Sequence, residues 1–164
     1  MTARGIRPGR PPLVQTVAVA GPGDIEALIL RFGLERHPEG GFFRRVFTHP
    51  TEQDGRPLAS SILYLLAAGE RSHWHRVDAV ELWQFHSGAP LELSVSFEGG
   101  TVDAHLLGSD LADRMQVPQA AVPAGAWQSA RSRGSFSFVS CTVVPAFTYD
   151  GFELAPHGWH PGRD

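Results

Sequence analysis

Apolar positions along this chain follow two spacings, and each predicts a different element. Ile25, Leu28, Ile29 and Phe32 recur three or four apart, which makes one face of a helix. Asp24 is placed to cap its start, and Gly33 to close its end. From Phe42 the spacing falls to two. Phe43, Arg45 and Phe47 then share one face of a strand, and Phe42, Arg44 and Val46 the other. Ser60 to Leu66 is a near-continuous apolar run. Leu91 to Phe97 and Thr101 to Leu107 alternate clearly and read as a hairpin turning at Glu98-Gly99-Gly100. Met115 to Val117, Gln119 to Val122, Ala126 to Arg131 and Phe136 to Val143 complete the series, with a turn at Pro123-Ala124-Gly125. About ten short strands punctuated by Gly and Pro describe an all-β antiparallel sandwich or barrel.

One hairpin concentrates chemistry. In Gly69 to Gly88, His73 and His75 lie two apart, which on a pleated strand puts both imidazoles on one face with Val77. Ser72, Trp74 and Arg76 then point the other way. Asp78-Ala79 can turn the chain, so that Val80 to His86 returns alongside. Glu81 would project near the two imidazoles, with Trp83 and Phe85 on its own face. Two imidazoles and a carboxylate in an aromatic space suit a divalent metal or an acid/base pair. Glu39, beside Gly40-Gly41, reads instead as a solvated loop carboxylate. The glycine pair allows positive φ or close backbone approach.

Composition narrows the classes. A length of 164 residues suits one domain that buries a core without disulfides. The net charge of −3 argues against nucleic acid as a partner. No apolar run reaches the ~20 residues of a membrane span. Residues 1–20 read as a flexible tail without the apolar centre of a signal peptide, so the expected compartment is the cytoplasm. The single cysteine, Cys141, sits in a strand-like run and reads as a small buried hydrophobe. All 14 basic residues are arginine, which rules out lysine Schiff-base chemistry. The last residues, with Trp159, His157 and His160, read as a surface segment, and 156–164 as a C-terminal tail.

A second stretch, Pro123-Ala124-Gly125-Ala126-Trp127-Gln128, changes the picture. With the His hairpin it resembles the paired motifs of the cupin superfamily. The first motif reads roughly Gly, five residues, His-x-His, three or four residues, Glu, six residues, Gly. Here three residues separate Gly69 from His73, five separate His75 from Glu81, and the six before Gly88 fit. The second reads Pro-x-Gly-x-x-His, with Gln128 in place of the histidine. His37-Pro38-Glu39-Gly40-Gly41-Phe42-Phe43-Arg44, His75-Arg76-Val77-Asp78, Glu81 to Gly88, Leu107 to Leu111, Pro118-Gln119, Pro123 to Gln128 and Phe152-Glu153-Leu154 look like the branch known as domain of unknown function 985.

The resemblance implies a double-stranded β-helix, a jelly-roll cupin barrel over residues 21–155 with a short N-terminal helix. It also implies a homodimer and a pocket in the barrel mouth for a small-molecule ligand. Phe43, Arg45, Ser61, Trp83, Phe85 and Gln128, with Trp127 beside them, are the expected ligand contacts. Three readings of the chemistry stay open. In one, a metal-free pocket uses His75, paired with Glu81 or Asp78, as general base for isomerisation, epimerisation or lyase-type proton transfer on a sugar or keto compound. In the second, His73, His75, Glu81 and Gln128 hold iron, manganese, nickel or zinc in an oxygenase-like centre. The third is a binding module without turnover.

Overall fold

The computed structural model of the chain describes residues 25–50, 55–97 and 100–162. The expected N-terminal tail, the Asp24 cap and the Glu98-Gly99 part of the hairpin turn lie outside them. Helix α1 spans Ile25–Phe32 and ends where its glycine predicts. Gly33 takes φ 59°, and its N–H donates to Leu30 O at 3.3 Å. The Leu34 N–H donates to Ile29 O at 2.9 Å, so two carbonyls at the helix end are satisfied by one glycine turn.

Twelve strands follow among the described residues, against the ten or so expected. They are β1 (Glu35–Arg36), β2 (Phe42–Thr48), β3 (Ser60–Ala67), β4 (Arg71–Val77), β5 (Val80–Gly88), β6 (Leu91–Ser96), β7 (Val102–Leu107), β8 (Gln116–Val117), β9 (Gln119–Val122), β10 (Trp127–Ser132), β11 (Phe136–Val144) and β12 (Phe152–Leu154). They form two six-stranded sheets, ordered β1-β2-β3-β11-β5-β9 and β12-β4-β10-β6-β7-β8. Pairing is antiparallel except between β7 and β8. The all-β expectation holds, and the two sheets pack face to face as a β-barrel around one core.

Burial explains why β3 lacks alternation. Tyr64 and Leu66 join Trp83, Leu91, Leu93, Leu107 and Val139 in the core between the sheets. Leu63 and Leu65, on the opposite face of the same strand, pack with Phe136 and Phe138 against Ile25, Leu28, Ile29 and Phe32 of the helix. Each fully buried Leu or Phe contributes roughly 1.5–3 kcal/mol. A strand covered on both sides reads as a continuous apolar run.

The end of the chain, expected as a surface segment, packs onto the second sheet. β12 pairs with β4, and Ala155 is buried. Trp159 sits 4.5 Å from Trp127 and 6.1 Å from Trp74, ring centre to ring centre. Residues 155–160 thus cover an aromatic cluster on the second sheet. Among the described residues no helix is long and apolar enough to cross a membrane.

Candidate active site

A cavity partly open to solvent lies between the sheets at one end of the barrel. Its walls include Phe43 and Ile62, Val143, Phe147 and Phe152, and its polar lining includes His37, Glu39, Arg45, His75 and Glu81. Each polar group arrives by an identifiable local device.

His75 comes from β4, which is irregular. His75 pairs with Gln128 and Ser72 with Ala130, so His73 and Trp74 together oppose the single Ser129. Such a bulge breaks the period of two. Ser72 and His75 therefore both reach the interior, and His73 does not join them. The His73 Nε2 lies 3.1 Å from Ala155 O and 3.2 Å from Pro156 O, holding the C-terminal segment. The expectation that His73 and His75 share a face, with Ser72 opposite, is corrected by this one extra residue.

Glu39 comes from the loop between β1 and β2, and it too differs from expectation. It is 8% exposed, with Oε2 at 3.3 Å from His75 Nδ1 and 3.7 Å from His37 Nδ1. Ser72 Oγ donates to its Oε1 at 2.9 Å. The loop is docked by the His73 N–H to Glu39 O (2.8 Å) and by Tyr64 Oη–H to Gly40 O (2.6 Å). Gly40, at φ 112°, has no room for a side chain, since a Cβ there would meet Arg71 O at 2.2 Å. The predicted close approach of the glycine pair is real, and it carries the carboxylate inward.

Glu81, on β5, is 6% exposed. Gln128 Nε2 donates to its Oε2 at 2.5 Å, while Gln128 Oε1 accepts from Trp83 Nε1 at 2.9 Å. An indole N–H can only donate, so Trp83 fixes which way the amide points. Trp83 itself is 1% exposed core, and Phe85 packs beside it. Both are support beneath the cavity and not its lining. The aromatic lining comes instead from Phe43, Phe147, Tyr149 and Phe152. Trp127 belongs to the outer cluster with Trp74 and Trp159.

Three further expectations are corrected. Ser61 faces away from the cavity, sharing a hydrogen bond with Thr142 Oγ1 at 3.0 Å, and its neighbour Ser60 lines the wall. A bulge at Val46 turns Phe47 the same way, opposite Ser61, while Phe43 and Arg45 stay with the cavity as expected. Asp78 is at the surface, where its two oxygens take a fork from Arg56 at 2.9 and 2.8 Å. Its N–H is tied to Gly151 O at 2.9 Å, which holds the turn with the carboxylate outward. The carboxylates beside His75 are Glu39 and Glu81.

Burial dominates the protonation states. It pushes Glu81 up to about 7, with the Glu39 charge adding to the rise and His75 and Gln128 opposing it. Burial also raises Glu39, against the pull of His37 and Ser72. It lowers His75, against the attraction of Glu81, and it lowers His37. The Cys141 thiol lines the same cavity and is pushed up well above its ordinary value, so it stays protonated. His75 Nδ1 lies 2.8 Å from His73 O. A carbonyl only accepts, so Nδ1 carries the proton and Nε2 of the neutral ring holds the free lone pair. The site thus has a neutral imidazole base beside a carboxyl group poised near neutrality.

The expected metal set does not assemble. His73 is committed to backbone carbonyls, and the only oxygen of the Gln128 amide is committed to Trp83. Among the described residues no three His, Cys, Asp or Glu side chains converge to hold a metal ion. Sequence reasoning missed His37 and Glu39 as cavity residues. The signal available was the glycine pair beside them, which announces a loop pressed against other backbone.

Comparison with known proteins agrees with this architecture. Residues 26–155 match the family described as Cupin superfamily (DUF985). A crystal structure of a protein from Shewanella oneidensis is 41% identical over 80% of this chain and 84% of that one, with a TM-score of 0.76. A hypothetical protein from Leishmania major is 29% identical over 80% of this chain and 86% of its own, with a TM-score of 0.73. Oxalate decarboxylase from Bacillus subtilis is 15% identical, covering 73% of this chain and 29% of its own, with a TM-score of 0.56, a likeness of fold. No curated protein matches the chain.

Proposed function

The chain belongs to the Cupin superfamily, in the family DUF985, and on that premise we propose that its barrel cavity binds a small polar, carbohydrate-like or keto molecule and moves a proton within it. One observation carries the reading: neutral His75, its Nδ1–H tied to its own strand, lies beside Glu81, whose carboxyl titrates at about 7. In an isomerisation or epimerisation, His75 Nε2 takes the proton from the carbon next to a carbonyl. The Glu81 carboxyl donates its own proton to the carbonyl oxygen. The resulting imidazolium is favoured by Glu39, 3.3 Å from Nδ1. Reversing both transfers on the other carbon, or the other face of the same one, completes the reaction and restores the site. Donor geometry favours this over a two-histidine, one-carboxylate centre, because His73 and Gln128 are otherwise engaged.

The test is deuterium exchange. Aldoses, ketoses, their sugar acids and phosphates, and 2-oxo acids are incubated with the protein in D₂O and read by mass spectrometry. The reading expects incorporation at a carbon next to a carbonyl, lost in His75→Asn and retained in EDTA. Exchange into none of the panel would point to a binding module, and exchange abolished by EDTA would return the metal reading.

A further inference from the structure

We infer that the molecule taken by this cavity carries an anionic group, a carboxylate or a phosphate, anchored by the Arg45 guanidinium at the cavity's edge. The inference rests on the proton-transfer reading of the same cavity and adds the substrate class.

Arg45 is the one arginine among the described residues that line the cavity. Most other described arginines are engaged, and Arg114, which has no carboxylate partner among the described residues, lies on the β7–β8 loop away from the cavity. Arg36 pairs with Glu70, Arg56 with Asp78, Arg76 with Glu153, and Arg131 and Arg133 with Glu92. Arg44 donates to Phe32 O and Arg71 to Ser129 Oγ. Among the described residues no carboxylate pairs with Arg45, whose recorded contact is the Phe147 ring at 5.9 Å. It is also exposed, whereas His75, Glu39 and Glu81 are buried. An arginine aimed along a pocket wall without a partner presents a planar fork that suits a carboxylate or a phosphate.

The placement suits an anchor and not a catalytic group. β2, which carries Arg45, and β5, which carries Glu81, are three strand spacings apart in the order β2-β3-β11-β5. At ordinary spacing that is about 14 Å between strand axes. An anion held at Arg45 therefore leaves the rest of a small molecule to extend across Ile62 and Cys141 towards Glu81 and His75. The bulge at Val46 supports the same end, since it lets Arg45 face the cavity while Phe47 turns outward.

The test titrates the protein with inorganic phosphate, malonate and the uncharged 1,3-propanediol. The readout is the NMR signals of the His75 ring and the Arg45 Nε–H. Saturable shifts are expected with both anions and none with the diol. Binding should weaken at least tenfold in Arg45→Gln, recover in part in Arg45→Lys, and be unchanged in Arg133→Gln, a surface control. Tighter binding of phosphate than of malonate would assign a phosphoryl substrate, and the reverse a carboxylate. Equal binding in wild type and Arg45→Gln, no saturable shift with either anion, or equal binding of the diol would overturn the inference. His75→Asn should still bind the anions, so the anchor can be judged even if deuterium exchange fails. Exchange into a neutral sugar unaffected by Arg45→Gln would sink the anchor and leave proton transfer standing.

Discussion

Gln128 donates its side-chain amide to Glu81 Oε2 at 2.5 Å, and it does so in a fixed orientation because Trp83 occupies the amide oxygen. The general cupin motif that this stretch resembles has histidine at this position. In this chain the residue is a relay between a buried indole and a buried carboxyl group. Gln128→Leu would leave both without partners, each costing about 1–3 kcal/mol. A loss of about 2–6 kcal/mol in urea unfolding is expected, with Glu81 rising further, since the amide bond lowers its pKa. Unchanged stability would mean that the relay is not formed.

Glu81 also predicts how stability depends on pH. Its carboxyl titrates at about 7 when folded and near 4.5 in the unfolded chain. The unfolded chain loses that proton first, so the contribution is complete below pH 4.5 and is lost as pH rises to about 7. His75 acts in the opposite direction. Its folded pKa is lowered, so its contribution holds above 6.5 and is lost as pH falls through the folded value. Glu81→Gln should keep the second effect and lose the first. Its stability relative to wild type should improve by up to about 3 kcal/mol between pH 4.5 and 7. Parallel curves for the two proteins would contradict the assignment.

His73 and His75 should separate cleanly in function. His73→Ala removes the contact with Ala155 O and Pro156 O, worth about 1 kcal/mol to the C-terminal segment. Faster amide exchange is expected at Ala155, whose N–H bonds Trp74 O at 2.9 Å, with the Glu81 titration unmoved. His75→Asn should move that titration and leave the exchange at Ala155 alone. Equal effects of the two on the Glu81 titration would return them to one site.

Asp78 should be dispensable for the chemistry. Its side chain is 48% exposed and its partner is Arg56, also at the surface. Asp78→Asn should cost no more than about 1 kcal/mol and leave deuterium exchange within about twofold. A large loss of exchange at unchanged stability would restore it to the site.

The barrel and half of its site were readable because alternation survives where a strand has one wet face. Phe43, Arg45, His75 and Glu81 follow from it. Two misplacements, at His73 and at Phe47, come from an interruption of the period that leaves no mark in residue type. One extra residue at His73–Trp74 moves a histidine out of the cavity and turns Ser72 to the interior, where it donates to Glu39. In β3, packing against α1 on one side and the core on the other erased the alternation that would have distinguished Ser60 from Ser61. Glu39 was hidden for a different reason. Its burial depends on the Gly40 backbone touching Arg71 O, a contact between residues distant in sequence.

The most direct measurement is the titration of the Glu81 carboxyl by carbon-13 NMR, assigned by its disappearance in Glu81→Gln. An inflection near pH 7, displaced in His75→Asn, is the expected result, because burial raises the group and the imidazole opposes that rise. Titration in the ordinary carboxylate range near 4.5, insensitive to His75, would mean a solvated glutamate with no proton to give at neutral pH, and the proton-transfer account would fall.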